Sequence, residues 1–174
     1  MKIRERIDKL FRDHGEQLFR YLRTFRLSEA ETYDLVQNVF MKLIEGQAEK
    51  VKQPKAWLFT VGRNMAINVM KKNKKMGRED ELSSISREPD ALTVLLEEEK
   101  YDRLWKAFAH LDTEEKEIYR LYLEHGFSHK EIAKIIEKSE GATKVMMHRT
   151  REKLRNYLNK EFENGIGHQS SNGE

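Results

Sequence analysis

Residues 128–158 constrain this chain most tightly. Ser128-His129-Lys130-Glu131 has the spacing of a capping box. In that motif the Ser128 hydroxyl accepts from the Glu131 backbone N–H, and the Glu131 side chain reaches back to Ser128. Ile132, Ala133, Ile135 and Ile136 then supply the buried stripe of a short helix. A second helix is predicted to bury Met147, Thr150, Leu154 and Leu158, which recur at i, i+3, i+7 and i+11. Lys144, His148, Arg151 and Arg155 repeat at the same spacing on another face. A short connection between two helices, the second apolar on one side and cationic on the other, reads as a helix-turn-helix. Such a second helix fits the major groove of DNA.

A charged face alone is what any solvated amphipathic helix displays. Here the charge is one-sided. Residues 139–160 carry Lys144, Arg149, Arg151, Lys153, Arg155 and Lys160 against only Glu140 and Glu152. The net charge of the chain is only +3 because other stretches offset one another. Residues 63–78 hold six positive charges and no acid, whereas residues 83–102 hold six acids and two bases. Local basic stretches, not the total, attract phosphates.

The balance of 36% charged and 38% hydrophobic residues in 174 suits two small helical cores better than one thick core. Only Pro54 and Pro89 interrupt the chain, so long helices are expected. Residues 4–26 read as one or two helices, with Leu10, Phe11, Leu18, Phe19, Leu22 and Phe25 at helical spacing and Gly15 placed to break or bend them. Ser28-Glu29-Ala30-Glu31 is another capping box, and the helix after it is predicted to bury Leu35, Val36, Val39, Phe40 and Leu43 before Gly46. Pro54 opens a third helix, with a stripe of Trp57, Leu58, Val61, Met65 and Val69 that passes into Lys71, Lys72, Lys74 and Lys75 and stops at Gly77. Trp57 is read as core rather than as a platform for a base.

Residues 78–96 are polar, charged and aperiodic, as a linker is. Helical pattern resumes near Ala91 and includes Leu104, Trp105, Phe108 and Leu111. Asp112 caps a further helix carrying Ile118, Leu121 and Tyr122, which Gly126 ends. The expected fold is all-α: a first helical domain over 4–78, a flexible linker over 79–98, a helix-turn-helix domain over 99–162, and a disordered tail over 163–174.

Absence of cysteine excludes disulfides and thiolate metal sites. No apolar run approaches the roughly 20 residues of a membrane span, and the first residues have no apolar h-region. The chain is expected to be cytoplasmic, with no direct membrane insertion. It carries no Gly-rich phosphate loop and no nucleophile beside a base, so no enzyme, small-molecule substrate, cofactor or metal is expected. His125 and His129 have the closest metal-like spacing, but they bracket Gly126 and read as a solvated pair.

The order of elements now becomes specific: an acidic helix, a helix with an aromatic start and a basic end, a polar linker, a helix-turn-helix. Over residues 8–160 it resembles the extracytoplasmic-function sigma factors of bacterial RNA polymerase. The resemblance rests on Asp34-Leu35-Val36-Gln37-Asn38-Val39-Phe40, on Ala56-Trp57-Leu58-Phe59 with Arg63, Asn64 and Ala66, on Glu131-Ile132-Ala133, and on Arg149, Arg151 and Leu154. It implies a promoter-specificity subunit without catalytic activity of its own, with core RNA polymerase (β′ clamp and β flap) and promoter DNA as partners, and control by an anti-sigma factor. It places Asp34, Gln37, Asn38 and Met41 on the polymerase clamp helices. Residues 28–50, with five acids and two bases, would repel DNA and meet a basic protein surface. It also places Arg63, Asn64, Asn68, Lys71, Lys72, Lys74 and Lys75 along the minus-10 element. There the amides suit unstacked base edges and the lysines suit phosphates. Lys144, Val145, His148, Arg149 and Arg151 fall on the minus-35 element.

Two departures from the family pattern lie in the helix-turn-helix. Glu137-Lys138 stands where the family commonly has Gly and an apolar residue, and Ala142-Thr143 where it commonly has Thr-Val. A left-handed residue other than Gly costs on the order of 1 kcal/mol. Two other functions compete. A stand-alone helix-turn-helix repressor or activator accounts for residues 112–158 and leaves the Asp34–Asn68 arrangement unused. An enzyme acting on nucleic acid lacks the residues for its chemistry.

Overall fold

The structure, a computed structural model, describes residues 3–46, 50–77 and 98–167. Among these residues the helices are α1 (Ile3–Arg23), α2 (Glu29–Glu45), α3 (Pro54–Lys75), α4 (Glu98–Ala109), α5 (Thr113–Leu123), α6 (His129–Ile135) and α7 (Glu140–Gly167). No strand occurs among the described residues, and the fold is all-α as expected. One compact unit is built on α1, α2 and α3, and the other on α4, α5 and α7 with the start of α6. The expected linker over 79–98 lies outside the described residues except for Glu98, which opens α4.

In the first unit, α1 runs as one helix through Gly15, without the expected break. Burial of Leu10, Leu18, Tyr21 and Leu22 along one face outweighs the roughly 1 kcal/mol cost of an interior glycine. Phe11, expected in that stripe, is exposed and meets Phe40 edge-on at 5.1 Å. After α1 the chain turns at Arg26, which is left-handed at φ 54°, and buries Leu27 before Ser28. The capping box at Ser28 forms as expected. Glu31 N–H donates to Ser28 Oγ at 3.2 Å, and Ser28 N–H donates to Glu31 Oε2 at 2.9 Å. Leu35, Val36, Val39, Phe40 and Leu43 of α2 are all buried.

The buried face of α3 differs from the predicted stripe. Of Trp57, Leu58, Val61, Met65 and Val69, only Leu58 is buried, and Trp57 is half-buried rather than core. The face that packs is Ala56, Leu58, Phe59, Gly62, Ala66 and Asn73. The cause is proximity. A Cβ on Gly62 would stand 3.1 Å from Leu18 Cδ1 and 3.3 Å from Leu22 Cδ2, so the small residues let α3 lie against α1. Phe59 then stacks on Tyr21 with ring centroids 5.0 Å apart. Large apolar residues mark the stripe that a sequence pattern favours; small ones mark where the backbones come close.

The end of α3 is tied to the start of α2 by one carboxylate. Glu31 Oε2 serves the capping box, while Glu31 Oε1 accepts from Asn73 Nδ2 at 2.9 Å. Asn73 sits buried in the middle of the lysine run, with Lys71, Lys72, Lys74 and Lys75 exposed around it. The amide therefore fixes which way the cationic end of α3 faces.

The second unit repeats this device. Glu115 N–H donates to Asp112 Oδ1 at 2.8 Å, and Asp112 N–H donates to Glu115 Oε2 at 3.0 Å. Glu115 Oε1 accepts from Lys153 of α7, with Glu115 itself buried. Ala107, Leu111 and Leu154 form a core against which Phe108, Tyr119, Tyr157 and Leu158 pack. The third capping box also forms, with Ser128 N–H on Glu131 Oε2 at 2.9 Å. Ile132, Ala133, Ile135 and Ile136 are buried as expected. On α7, Met147, Thr150 and Leu154 are buried and Leu158 is half-buried; Thr143 joins them. The Thr143 and Thr150 hydroxyls donate to Ser139 O at 3.0 Å and Met146 O at 2.9 Å within the helix, so neither is left unpaired.

The turn between α6 and α7 is a Schellman motif. Lys138 N–H donates to Ala133 O at 2.9 Å and Glu137 N–H to Lys134 O at 3.4 Å, with Glu137 left-handed at φ 58°. The departure seen in the sequence thus falls on the residue that carries the strained conformation. Two further differences stand out. His125 is buried rather than solvated, because Gly126 at φ 67° folds the chain back and Phe127 N–H closes on Leu121 O at 3.1 Å. The last helix also continues to Gly167, five residues into the segment expected as tail from 163; residues 168–174 lie outside the described ones.

Two stability outcomes follow. Glu31→Ala removes the reciprocal cap, worth about 1 kcal/mol, and strands the buried Asn73 amide at about 1 kcal/mol more. The urea midpoint of the first unit should fall accordingly, and an unchanged midpoint would rule out the tie. Glu137→Gly relieves about 1–2 kcal/mol of left-handed strain against about 0.5–1 kcal/mol of added unfolded-state entropy. The second unit should gain stability in calorimetry, and a lowered melting temperature would contradict the strain.

Candidate nucleic-acid interface

On α7 all five residues assigned to the minus-35 element are exposed. Their spacing divides them into two adjacent strips. Lys144, His148 and Arg151 share one strip with Arg155, and Val145 and Arg149 share the next with Glu152. Val145, half exposed, is an apolar point among cations.

The cations differ in what already holds them. Lys144 Nζ pairs with Glu140 Oε1 at 2.8 Å, one turn earlier. That hydrogen bond, and then the charge of Lys144, hold the Glu140 carboxyl below its usual pKa range. Lys153 is held by Glu115, and Arg155 by Glu152 at 2.6 Å. The Arg151 guanidinium lies 5.0 Å from the centre of the Tyr122 ring. The His148 and Arg149 side chains make no hydrogen bond, ion pair or ring contact among the described residues. These two present uncommitted donors, suited to base edges or phosphate. Exposed ion pairs such as Lys144–Glu140 are worth about 0–1 kcal/mol, so the pair holds Lys144 loosely while screening part of its charge.

On α3, Asn64, Asn68, Lys71 and Lys75 lie on one strip at i, i+4, i+7 and i+11. Asn64 is half-buried; the other three are exposed. Arg63 and Lys74 share a neighbouring strip, about one residue's rotation away, and Lys72 lies on the far side of Lys75. The helix therefore brings the two amides and two lysines into a line and spreads the remaining cations around it. On α2, Asp34, Gln37, Asn38 and Met41 form an exposed strip opposite the buried face, with Tyr33 and Ile44 exposed beside it. Among the described residues no group of three or more His, Cys, Asp or Glu is arranged to hold a metal, and no helix is long and apolar enough to cross a membrane.

Sequence reasoning missed Asn73, Glu115 and Tyr122 as organisers of these faces. Asn73 carried one signal, an amide interrupting four lysines. The other two contacts join residues far apart in the chain and leave no local pattern.

Known proteins share both units. Residues 10–76 match the family model for Sigma-70 region 2, and residues 101–154 match that for Sigma-70, region 4. The chain is similar to a chain in the co-crystal structure of the sigma factor RpoE in complex with the anti-sigma factor NepR from Bartonella quintana. That match has 26% identity and a TM-score of 0.58, and it covers 87% of this chain and 98% of that one. It is also similar to a chain in the structure of CnrH in complex with the cytosolic domain of CnrY, with 25% identity, a TM-score of 0.55 and 90% of each chain covered. No curated protein matches. With region 2 on α1–α3 and region 4 on the helix-turn-helix unit, in that order along one chain, the protein belongs to the extracytoplasmic-function group of the sigma-70 family, whose members bind core RNA polymerase and direct promoter-specific transcription initiation.

Proposed function

We propose that the three exposed faces divide the work of initiation. The α2 strip of Asp34, Gln37, Asn38 and Met41 docks on the β′ clamp of the polymerase. The α3 line of Asn64, Asn68, Lys71 and Lys75, with Arg63, Lys72 and Lys74 around it, follows the minus-10 strand. Asn64 and Asn68 read unstacked base edges and the lysines hold phosphates. On α7, Arg149 and His148 are the base readers of the minus-35 element, Val145 meets a thymine methyl, and Lys144 and Arg151 hold the backbone. The observation that carries this reading is the division of charge. The faces of α3 and α7 are cationic, and the α2 face is acidic and amide-bearing with an exposed methionine. An acidic face avoids DNA and suits a basic protein surface.

The protein works in the cytoplasm, where polymerase is, and an anti-sigma factor holds it inactive. The complexes of RpoE with NepR and of CnrH with the cytosolic domain of CnrY support that regulation. The protein acts as a specificity subunit and performs no chemistry of its own.

Run-off transcription on fragmented bacterial DNA, with core polymerase and this protein, should yield discrete new start sites and with them a promoter fragment. DNA binding by the protein alone, without polymerase association, would favour a stand-alone regulator instead. On the recovered fragment, Arg149→Ala should weaken holoenzyme binding by about 1–3 kcal/mol and relax preference at one minus-35 base pair. Lys144→Ala should weaken it about equally on all sequences. A base-specific loss with Lys144→Ala and none with Arg149→Ala would invert the assignment. Asp34→Ala with Gln37→Ala should reduce core polymerase association about tenfold in titrations and leave the helical circular dichroism unchanged. Full retention of association would remove α2 as the docking face.

A further inference from the structure

Tyr122 belongs to none of the faces described above, yet it touches two other helices of the DNA-binding unit. It sits half-buried on α5. The His129 imidazole, at the first position of α6, lies nearly parallel to its ring, with planes 7° apart and centroids 5.6 Å apart. The Arg151 guanidinium, from α7, lies 5.0 Å from the same ring centre. The charge of Arg151 also reaches Tyr119, three residues earlier on α5 than Tyr122. Burial pushes the Tyr119 phenol above its ordinary pKa, and the charge of Arg151 pulls against it. The guanidinium of Arg151 is thus laid over the Tyr122 ring while the residue as a whole stays exposed.

The manner of holding is what distinguishes Arg151. Lys144, Lys153 and Arg155 are held by carboxylates, which cancel part of their charge. A phosphate must compete with those carboxylates. An aromatic face orients a guanidinium and leaves its charge and its edge N–H donors available. Position along the helix indicates the target. Recognition helices meet base edges with their N-terminal residues. Arg151 lies seven residues beyond Lys144, about 10 Å further along the axis, where the helix reaches the backbone bordering the groove.

We propose that Tyr122 is a positioning residue for minus-35 recognition: its ring, braced from α6 by His129, presents the Arg151 guanidinium to a DNA phosphate. This rests on the placement of α7 on the minus-35 element. It adds a route by which the first helix of the motif sets a contact made by the second.

The test is the salt dependence of holoenzyme binding to the promoter fragment recovered by run-off transcription. Each phosphate contact contributes a slope of about 0.9 in log K against log salt. Arg151→Ala should lower the slope by about one unit, and Tyr122→Leu should lower it equally. The double variant should lose no more than either single one. Tyr122→Phe, which keeps the ring, should restore the slope of the unaltered protein. A Tyr122→Leu variant that melts earlier with an unchanged slope would make Tyr122 a core residue only and overturn the proposal, as would additive losses in the double variant. Should Tyr122→Leu not fold, Arg151→Lys decides, because it alters only an exposed side chain. A lysine keeps the charge but not the planar stack, so binding should weaken severalfold, and full retention of affinity and slope overturns the proposal. If the unaltered holoenzyme binds no such fragment, the minus-35 reading itself fails, an outcome separate from all of these.

Discussion

Capping-box carboxylates organise both units. A capping glutamate has two oxygens, and the helix start uses only one of them. In Glu31 the spare oxygen takes the Asn73 amide at 2.9 Å and fixes the end of α3. In Glu115 it takes Lys153 and fixes the middle of α7. Both partners come from helices that carry the exposed cationic faces, Asn73 from α3 and Lys153 from α7. The carboxylate therefore does two things at once: it satisfies orphan N–H groups at a helix start and sets the rotation of the cationic helix about its axis. A third such box, at Ser128, starts the first helix of the helix-turn-helix.

Rotation matters because these faces are narrow. On α3 the buried side is Ala56, Phe59, Gly62, Ala66 and Asn73, and the line of Asn64, Asn68, Lys71 and Lys75 lies on the other side. A slip by one residue would turn the helix by about 100°, burying lysines and exposing Phe59. The close approach at Gly62, near the middle of the helix, and the Glu31–Asn73 bond, near its end, both oppose that slip. The turn before α7 is governed differently. Its geometry is set by a Schellman motif whose left-handed residue is Glu137, so this chain accepts backbone strain at a position that glycine would occupy freely.

The parts legible in the sequence were the local ones. The two capping boxes at Ser28 and Ser128, the Asp112 cap, the buried stripe of α6 and most of the buried stripe of α7 depend on residues within a turn or two of each other, and all formed. The α3 stripe was misread because hydropathy marks large side chains, while packing against α1 selected Gly62 and Ala66. The burial of His125 was hidden for a related reason: a left-handed glycine reverses the chain, and no periodicity survives the reversal. For the site, helical spacing alone grouped the exposed residues into strips. It could not tell which cations were committed. Lys153 looks like part of the cationic face until Glu115, 38 residues away, is found beside it.

That distinction bears on how recognition is shared out along α7. A cation paired with a neighbouring carboxylate contributes less to counterion release, since it has already lost part of its field. Lys144, Lys153 and Arg155 are in that condition. Arg149 and His148 are not. A helix with every cation free would bind any DNA strongly and discriminate poorly, because phosphate contacts carry no sequence information. With its flanks paired and its middle uncommitted, α7, placed on the minus-35 element as proposed, would have a smaller sequence-independent part of its affinity. A factor arranged in this way depends on the polymerase to bring its two units to the promoter together. The acidic face of α2, unsuited to DNA, is consistent with that dependence.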